Sequence, residues 1–186
     1  MALDCAWTTS DPEYIRYHDE EWGVPLWSDD RLLEMLVLEG AQAGLSWITV
    51  LRRRPFYRVA FLGFDPSRVA AIDPEVLMTA PGVIKNRQKI QSAIQNARVA
   101  LRVQEEFGSL AQYLWNFVDH RPQINHWEQS SEVPSQSLES NEMSRGLKSY
   151  GMSFVGPTIC YAFMQAVGMV NDHLVGCPRH AALGRS

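Results

Sequence analysis

A carboxylate at the end of a strongly apolar run is the first feature of this sequence with evident chemistry. The run Leu32-Leu33-Glu34-Met35-Leu36-Val37-Leu38 leads to Glu39, and Gly40, Gln42, Gly44 and Trp47 follow closely. A helix apolar on nearly every side is expected to be buried. A carboxylate at its end must find donors, remain protonated or meet a ligand. Gly40 and Gly44 let backbone approach something closely, or simply end one helix and turn into the next. Taken alone, the stretch reads as a helix end and a corner.

A second group lies at the two ends of the chain. Cys5 and His18 stand near the start, His173 and Cys177 near the end. Two thiols and two imidazoles suit a closed, tetrahedral, structural zinc site. Neither half has zinc-finger spacing, so capping histidines and unliganded buried cysteines remain the plainer alternative. If the set does bind metal, it staples two termini that would otherwise fray. His180 adds another nearby candidate ligand. His18-Asp19-Glu20 also matches the H-x-E of zinc nucleobase deaminases, but Cys177-Pro178 reverses their Pro-Cys order and lacks the second cysteine.

Two further patterns concern binding. Pro81-Gly82-Val83-Ile84-Lys85-Asn86 forms a tight break before a long helical stretch. Such a hairpin turns backbone N–H groups outward beside a helix N-terminus, which makes a seat for phosphate, and Lys85, Arg87 and Lys89 surround it. An ordinary Pro-Gly turn is the alternative. The aromatics Trp7, Tyr14, Tyr17, Trp22 and Trp47 either belong to the core or line a slot for a flat ring. With Glu39 beside them, such a slot would suit a flipped cationic base, by cation–π stacking and an acceptor for an exocyclic amine.

The elements that must position these residues are helical. Asp11-Pro12 is expected to start a helix over Glu13 to Glu20, and Asp29 or Asp30 to cap the apolar helix through about Gly40. Ser46 caps the next, Pro55 starts another to Phe61, and Asp65-Pro66 and Asp73-Pro74 open two short ones. A long helix is expected from Asn86 to Phe107 with Ile90, Ile94, Ala97, Leu101 and Phe107 inward, and Ser109 caps Leu110 to Val118. Residues 120–140 read as a loop between two halves. Helix resumes near Ser140 to Gly151 and again from Pro157 to Gly168. No alternating strand pattern persists, so the expected class is all-α. The expected organisation is one domain of two lobes, residues 29–120 and the N-terminal segment with 140–180.

Composition fits that picture. The 186 residues are 46% hydrophobic and 20% charged, ordinary for a globular chain. No apolar run is long enough to span a membrane, and the N-terminus has no signal-peptide character. Three cysteines, an odd number, favour a reducing compartment, and the chain reads as cytoplasmic. The net charge is −4, yet it is unevenly placed. Residues 40–64 carry Arg52, Arg53, Arg54 and Arg58 without an acid, and residues 82–104 carry Lys85, Arg87, Lys89, Arg98 and Arg102 without one. These windows can form a basic face on an acidic protein, or be solvated helix faces.

Taken together, Cys5-Ala6-Trp7, Asp11-Pro12, Tyr14 to His18, Glu21-Trp22-Gly23-Val24-Pro25, Leu38 through Trp47, Pro81 through Arg87, Leu114-Trp115, Phe154-Val155-Gly156 and Asn171-Asp172-His173 with Cys177 resemble the DNA-3-methyladenine glycosylase I family. The resemblance spans nearly the whole chain and implies the helix-hairpin-helix glycosylase fold. It implies monofunctional hydrolysis of the N-glycosidic bond of 3-methyladenine in alkylated double-stranded DNA, by a monomer with no membrane partner. By the same resemblance Cys5, His18, His173 and Cys177 hold one structural zinc ion. Glu39 and Tyr17 contact the excised base, Trp47 stacks on it, and Trp7, Tyr14 and Trp22 complete the pocket. Leu45 wedges into the duplex with Gln42 and Gly44 nearby, and Gly82, Ile84, Lys85 and Arg87 hold a phosphate. The superfamily's usual catalytic Asp has no counterpart in the acid-free window 82–104, as in the family resembled. No lysine stands in Leu38–Trp47 for a lyase step. The competing functions are a zinc-stapled module that binds lesions without cleaving, and a zinc deaminase.

Overall fold

A computed structural model describes Cys5 and residues 10–184. Helix α2 (Asp29–Gln42) forms the centre, with every residue from Leu32 to Ala41 buried. Around it lie α1 (Pro12–Glu20), α3 (Trp47–Leu51), α4 (Arg54–Ala60), α5 (Pro66–Ala70), α6 (Pro74–Thr79), α7 (Arg87–Phe107), α8 (Leu110–Trp115), α9 (Leu138–Ser149), α10 (Pro157–Ala166) and α11 (Pro178–Leu183). One side of α2 packs on α7 and α8, and α10, itself packed on α9, also packs against α2. The all-α expectation holds in outline.

The Asp-Pro starts behave as their local chemistry requires. Asp11, Asp65 and Asp73 each accept from backbone N–H groups of the first turn, and Pro occupies the first helical position. Asn86 and Ser109 do the same for α7 and α8. Asp29 differs from expectation. Ser28 is the N-cap of α2, without a side-chain bond. The Asp29 carboxylate instead accepts from the Leu110 and Ala111 N–H groups at 2.8 and 2.9 Å and from Gln104 at 2.6 Å. It therefore caps α8, a partner some eighty residues away that no local signal reveals.

Two short strands also appear within and after the expected loop. Gln123–Ile124 (β1) pairs in parallel with Val170–Asn171 (β2). Two-residue strands are too short to show alternation, so tertiary docking alone creates them. The pairing sets the segment that leads into His173. Helix α10 stops at Ala166, short of Gly168. Gly168 takes φ +73°, and a Cβ there would lie 2.4 Å from the backbone of Val24 and Pro25. Only glycine lets the N-terminal segment pass this closely.

The first basic window is largely engaged by the protein's own acceptors: Arg52 pairs with Asp11, and Arg53 donates to the Gly82 carbonyl at 3.1 Å. Arg54 is buried, and its guanidinium donates to Glu34 at 2.7 Å and Glu21 at 2.6 Å. Arg58 and Arg31 reach the same Glu34 carboxylate at 2.8 and 3.1 Å. Glu34, the acid inside the apolar run, is thus satisfied by cations on neighbouring elements. Residues 40–64 contribute less to a basic face than their composition suggests.

Candidate active site and metal centre

Glu39 stands on the penultimate turn of α2 and is only 5% exposed. It has no hydrogen bond or ion pair among the described residues. Burial raises its pKa to about 8, so it is largely neutral near pH 7 while nothing cationic is beside it. It faces a cavity of about 390 Å³. Tyr14 and Tyr17 from α1, Trp22, Gln42 and Trp47 form one part of the wall, and Pro134, Gln165, Asp172 and Leu174 line the rest. Tyr17 and Trp47 are both buried, with ring centroids 5.5 Å apart and planes tilted by 49°. Burial, and then the Glu39 charge, push the Tyr17 phenol well above its ordinary pKa, so it remains a donor. The Trp47 indole N–H is buried without a partner among the described residues. A cavity with flat apolar walls, an unengaged carboxyl and an orphan donor is built to receive a polar ring.

The other candidates fall in three groups. Trp7 lies outside the described residues. Trp22 lines the cavity and also packs beside His173, its ring 4.5 Å from that imidazole. Gln42 lines the cavity mouth, whereas Gly44 and Leu45 project from the turn after α2. Gly44 has φ +80° with open space around it, and Leu45 is 41% exposed, unusual for a leucine flanked by buried segments.

Between α6 and α7 the chain makes the expected hairpin. Gly82 has φ +73°, and a Cβ there would lie 2.3 Å from the Phe56 ring. The Ile84 N–H donates to the Tyr57 hydroxyl at 3.2 Å, which fixes the turn and removes one donor from its outer face. The N–H groups of Gly82, Val83 and Lys85 have no acceptor among the described residues. Lys85 Nζ donates to the Ala80 carbonyl, and Arg87 pairs with the exposed Glu75 carboxylate.

Cys5, His18, His173 and Cys177 are all buried, with one donor atom from each inside a 4.8 Å cluster. His18 Nε2 and His173 Nδ1 are 3.1 Å apart. The Cys177 sulfur lies 3.8 Å from His18 Nε2 and 3.7 Å from His173 Nδ1, and the Cys5 sulfur 3.6 Å from His173 Nδ1. A tetrahedral zinc site has edges of about 3.3 Å between nitrogens and about 3.6 Å between nitrogen and sulfur. The donor set therefore fits such an ion. The outward nitrogens are held too: His18 Nδ1 lies 2.7 Å from the Asp19 carboxylate and His173 Nε2 3.0 Å from the Trp22 carbonyl. The Leu174 N–H donates to the Cys5 sulfur at 3.4 Å. His180 stands apart, 2.7 Å from the Asn125 carbonyl. Four protein donors leave no open position, which argues against the deaminase arrangement.

Sequence inspection missed the far wall. Asp172 is buried, and its carboxylate accepts from Asn125 at 2.7 Å, Trp127 at 2.8 Å, Tyr161 at 2.7 Å and Gln165 at 2.8 Å. A carboxylate that takes four donors is a structural anchor for the cavity. Its partners come from separate segments, so only its position beside His173 hinted at importance.

The comparisons with known proteins agree with this geometry. Residues 7–180 match the family model described as methyladenine glycosylase. The chain is 49% identical over 176 residues to DNA-3-methyladenine glycosylase 1 of Escherichia coli (strain K12), covering 93% of this chain and 94% of that protein. It is 41% identical over 181 residues to the DNA-3-methyladenine glycosylase of Haemophilus influenzae, covering 96% and 98%. A solved structure of Staphylococcus aureus 3-methyladenine DNA glycosylase I, a study of 3-methyladenine recognition, superposes with a TM-score of 0.91 at 34% identity, over 95% of this chain and 96% of that one. On sequence and fold together, the chain belongs to the methyladenine glycosylase family.

Proposed function

We propose that this protein excises 3-methyladenine from alkylated double-stranded DNA by hydrolysing the N-glycosidic bond, the first step of base-excision repair. The observation that carries the proposal is Glu39, a buried carboxyl without a hydrogen-bond or ion-pair partner among the described residues, facing an aromatic-walled cavity. Neutral, it costs little to bury; beside a cationic base it ionises and pairs. Trp47 stacks on the flat ring and Tyr17 contacts it, which favours a cation over its uncharged parent. Tyr14, Trp22 and, by the family resemblance, Trp7 complete the pocket.

Methylation at N3 already gives the base its positive charge, so the chain need not supply a strong acid. The glycosidic electron pair leaves with the base, which departs neutral. Water adds its oxygen to the sugar carbon, and its proton goes to solvent. Glu39 reads the exocyclic amine and stabilises positive charge on the extruded nucleotide. Leu45 fills the gap in the duplex, with Gln42 and Gly44 beside it. The free N–H groups around Gly82, the turn fixed through Ile84, and the side chains of Lys85 and Arg87 seat a phosphate as a helix-hairpin-helix motif.

We read the chain as one monomeric domain of two helical lobes, 29–120 and the N-terminal segment with 140–180. Zinc suits the Cys5, His18, His173 and Cys177 set, where it supplies a structural cross-link between the two ends of the chain. No helix among the described residues is long and apolar enough to cross a membrane. No disulfide joins the three cysteines, which suits a cytoplasmic enzyme.

Release of free bases from methylated duplex DNA, separated by chromatography, tests the proposal. Free 3-methyladenine with a matching number of abasic sites is expected. DNA that is bound but yields no free base would instead indicate a lesion-binding module.

A further inference from the structure

Lys89 joins two features that the proposed function uses separately. It lies in the first turn of the 21-residue α7, directly after the hairpin, and its own N–H is capped by Asn86 at 3.1 Å. Its ammonium group crosses to the end of α2 and donates to the Ala41 carbonyl at 2.8 Å and the Ala43 carbonyl at 2.6 Å. Helix α2 has no basic residue in its own last turn. Lys89 therefore supplies the cation that its C-terminal carbonyls lack.

The segment held in this way is the one that carries Gly44 and Leu45. Ala43 through Ser46 are exposed, and a Cβ at Gly44 would meet no described atom within 4 Å. Within the segment, Ala43 N–H bonds to Gly40 O at 3.4 Å and Leu45 N–H to Gln42 O at 2.6 Å. These bonds close the turn on itself, and at its far end the Ser46 hydroxyl pairs with the Thr49 hydroxyl of α3 at 2.7 Å. The Lys89 bond to the Ala43 carbonyl attaches the turn to the hairpin end of α7, and the bond to the Ala41 carbonyl anchors the last turn of α2 beside it. A lysine is suited to the task because it offers three donors on a long stem and can satisfy two carbonyls that face the same way.

We infer that Lys89 is a positioning residue that fixes the Leu45 turn relative to the phosphate seat, so that docking of the backbone at Gly82–Arg87 delivers Leu45 to the lesion. The inference rests on the proposed glycosylase function and on the roles given there to Leu45 and the hairpin. A misplacement of about 1 Å in a group that must meet its target in register costs on the order of a hundredfold in rate.

A double-mutant cycle on methylated duplex DNA tests it, with Leu45→Ala, Lys89→Met and the pair measured for kcat/KM of base release. Lys89→Met keeps the stem and removes the donors. Each single change is expected to lower kcat/KM on the order of ten- to a hundredfold, and the pair to lose little more than Leu45→Ala alone, because Lys89 acts through that turn. Lys89→Arg should recover part of the loss. Binding of free 3-methyladenine, read by calorimetry, should stay within about threefold of wild type in Lys89→Met, since the pocket is untouched. Losses that multiply in the double mutant, a Lys89→Met variant as active as wild type, or an equal loss of free-base binding would each overturn the inference. Failure of the underlying function looks different: wild type then releases no base, or Leu45→Ala releases it at the wild-type rate.

Discussion

Glu39 shows how one side chain can be neutral for stability and ionised for function. Its pKa rises from 4.5 to about 8 because burial penalises the charge. A carboxyl whose folded pKa is raised leaves stability intact below its unfolded value and removes it as pH climbs through the folded one. Wild type is therefore expected to lose stability relative to Glu39→Gln between pH 4.5 and about 8, by up to about 5 kcal/mol, as read from urea unfolding at several pH values. A constant difference across that window would mean that Glu39 finds a donor when ionised. At this scale the sequence was informative wherever a residue conflicted with its neighbours. Glu39 does so at the end of its apolar run, whereas Leu45 was reached only through the family resemblance. Asp172 does not, since its four donors arrive from Asn125, Trp127, Tyr161 and Gln165 and only the folded chain assembles them.

Among the elements, the short helix, tight hairpin and long helix formed by α6, residues 80–86 and α7 are the most dependent on local geometry. Gly82 combines φ +73° with a Phe56 ring 2.3 Å from where a Cβ would sit. Gly82→Ala should cost roughly 1–2 kcal/mol for the backbone conformation alone, with the ring displaced in addition. The expected outcome is a lower thermal midpoint and weaker duplex binding, while free 3-methyladenine binds as before; unchanged duplex binding would remove this turn from the DNA interface. Helix starts were visible in sequence because Asp-Pro and Ser caps act over three residues. Asp29 misled for the opposite reason: it opens one helix but its carboxylate caps another. The β1–β2 pairing was equally invisible, since two residues carry no period.

For the molecule as a whole, the Cys₂His₂ cluster ties the start of the chain to its end. Its members lie more than 150 residues apart in sequence across His18 and His173, so spacing could suggest the ligand types but not their convergence. In the folded protein the cluster also adjoins the cavity through Trp22. Cys177→Ser is expected to lose bound zinc, measured by elemental mass spectrometry, and to lower the unfolding midpoint. Full zinc occupancy in that variant would contradict the proposed ligand set. The basic windows were the poorest guide at this scale. Arg54 is buried against Glu34 and Glu21, the exposed Arg58 also pairs with Glu34, and Lys89 serves backbone carbonyls between two elements.

Cavity, turn and cluster all converge on one carboxyl, and the most direct measurement compares wild type with Glu39→Gln in releasing free 3-methyladenine from methylated duplex DNA. Wild type should release the base and leave an abasic site for each one. Glu39→Gln, folded and still able to bind duplex, should release it at least about tenfold more slowly, because a neutral amide cannot balance the positive charge. Equal rates in the two proteins would contradict the role of Glu39 as the group that holds the departing base.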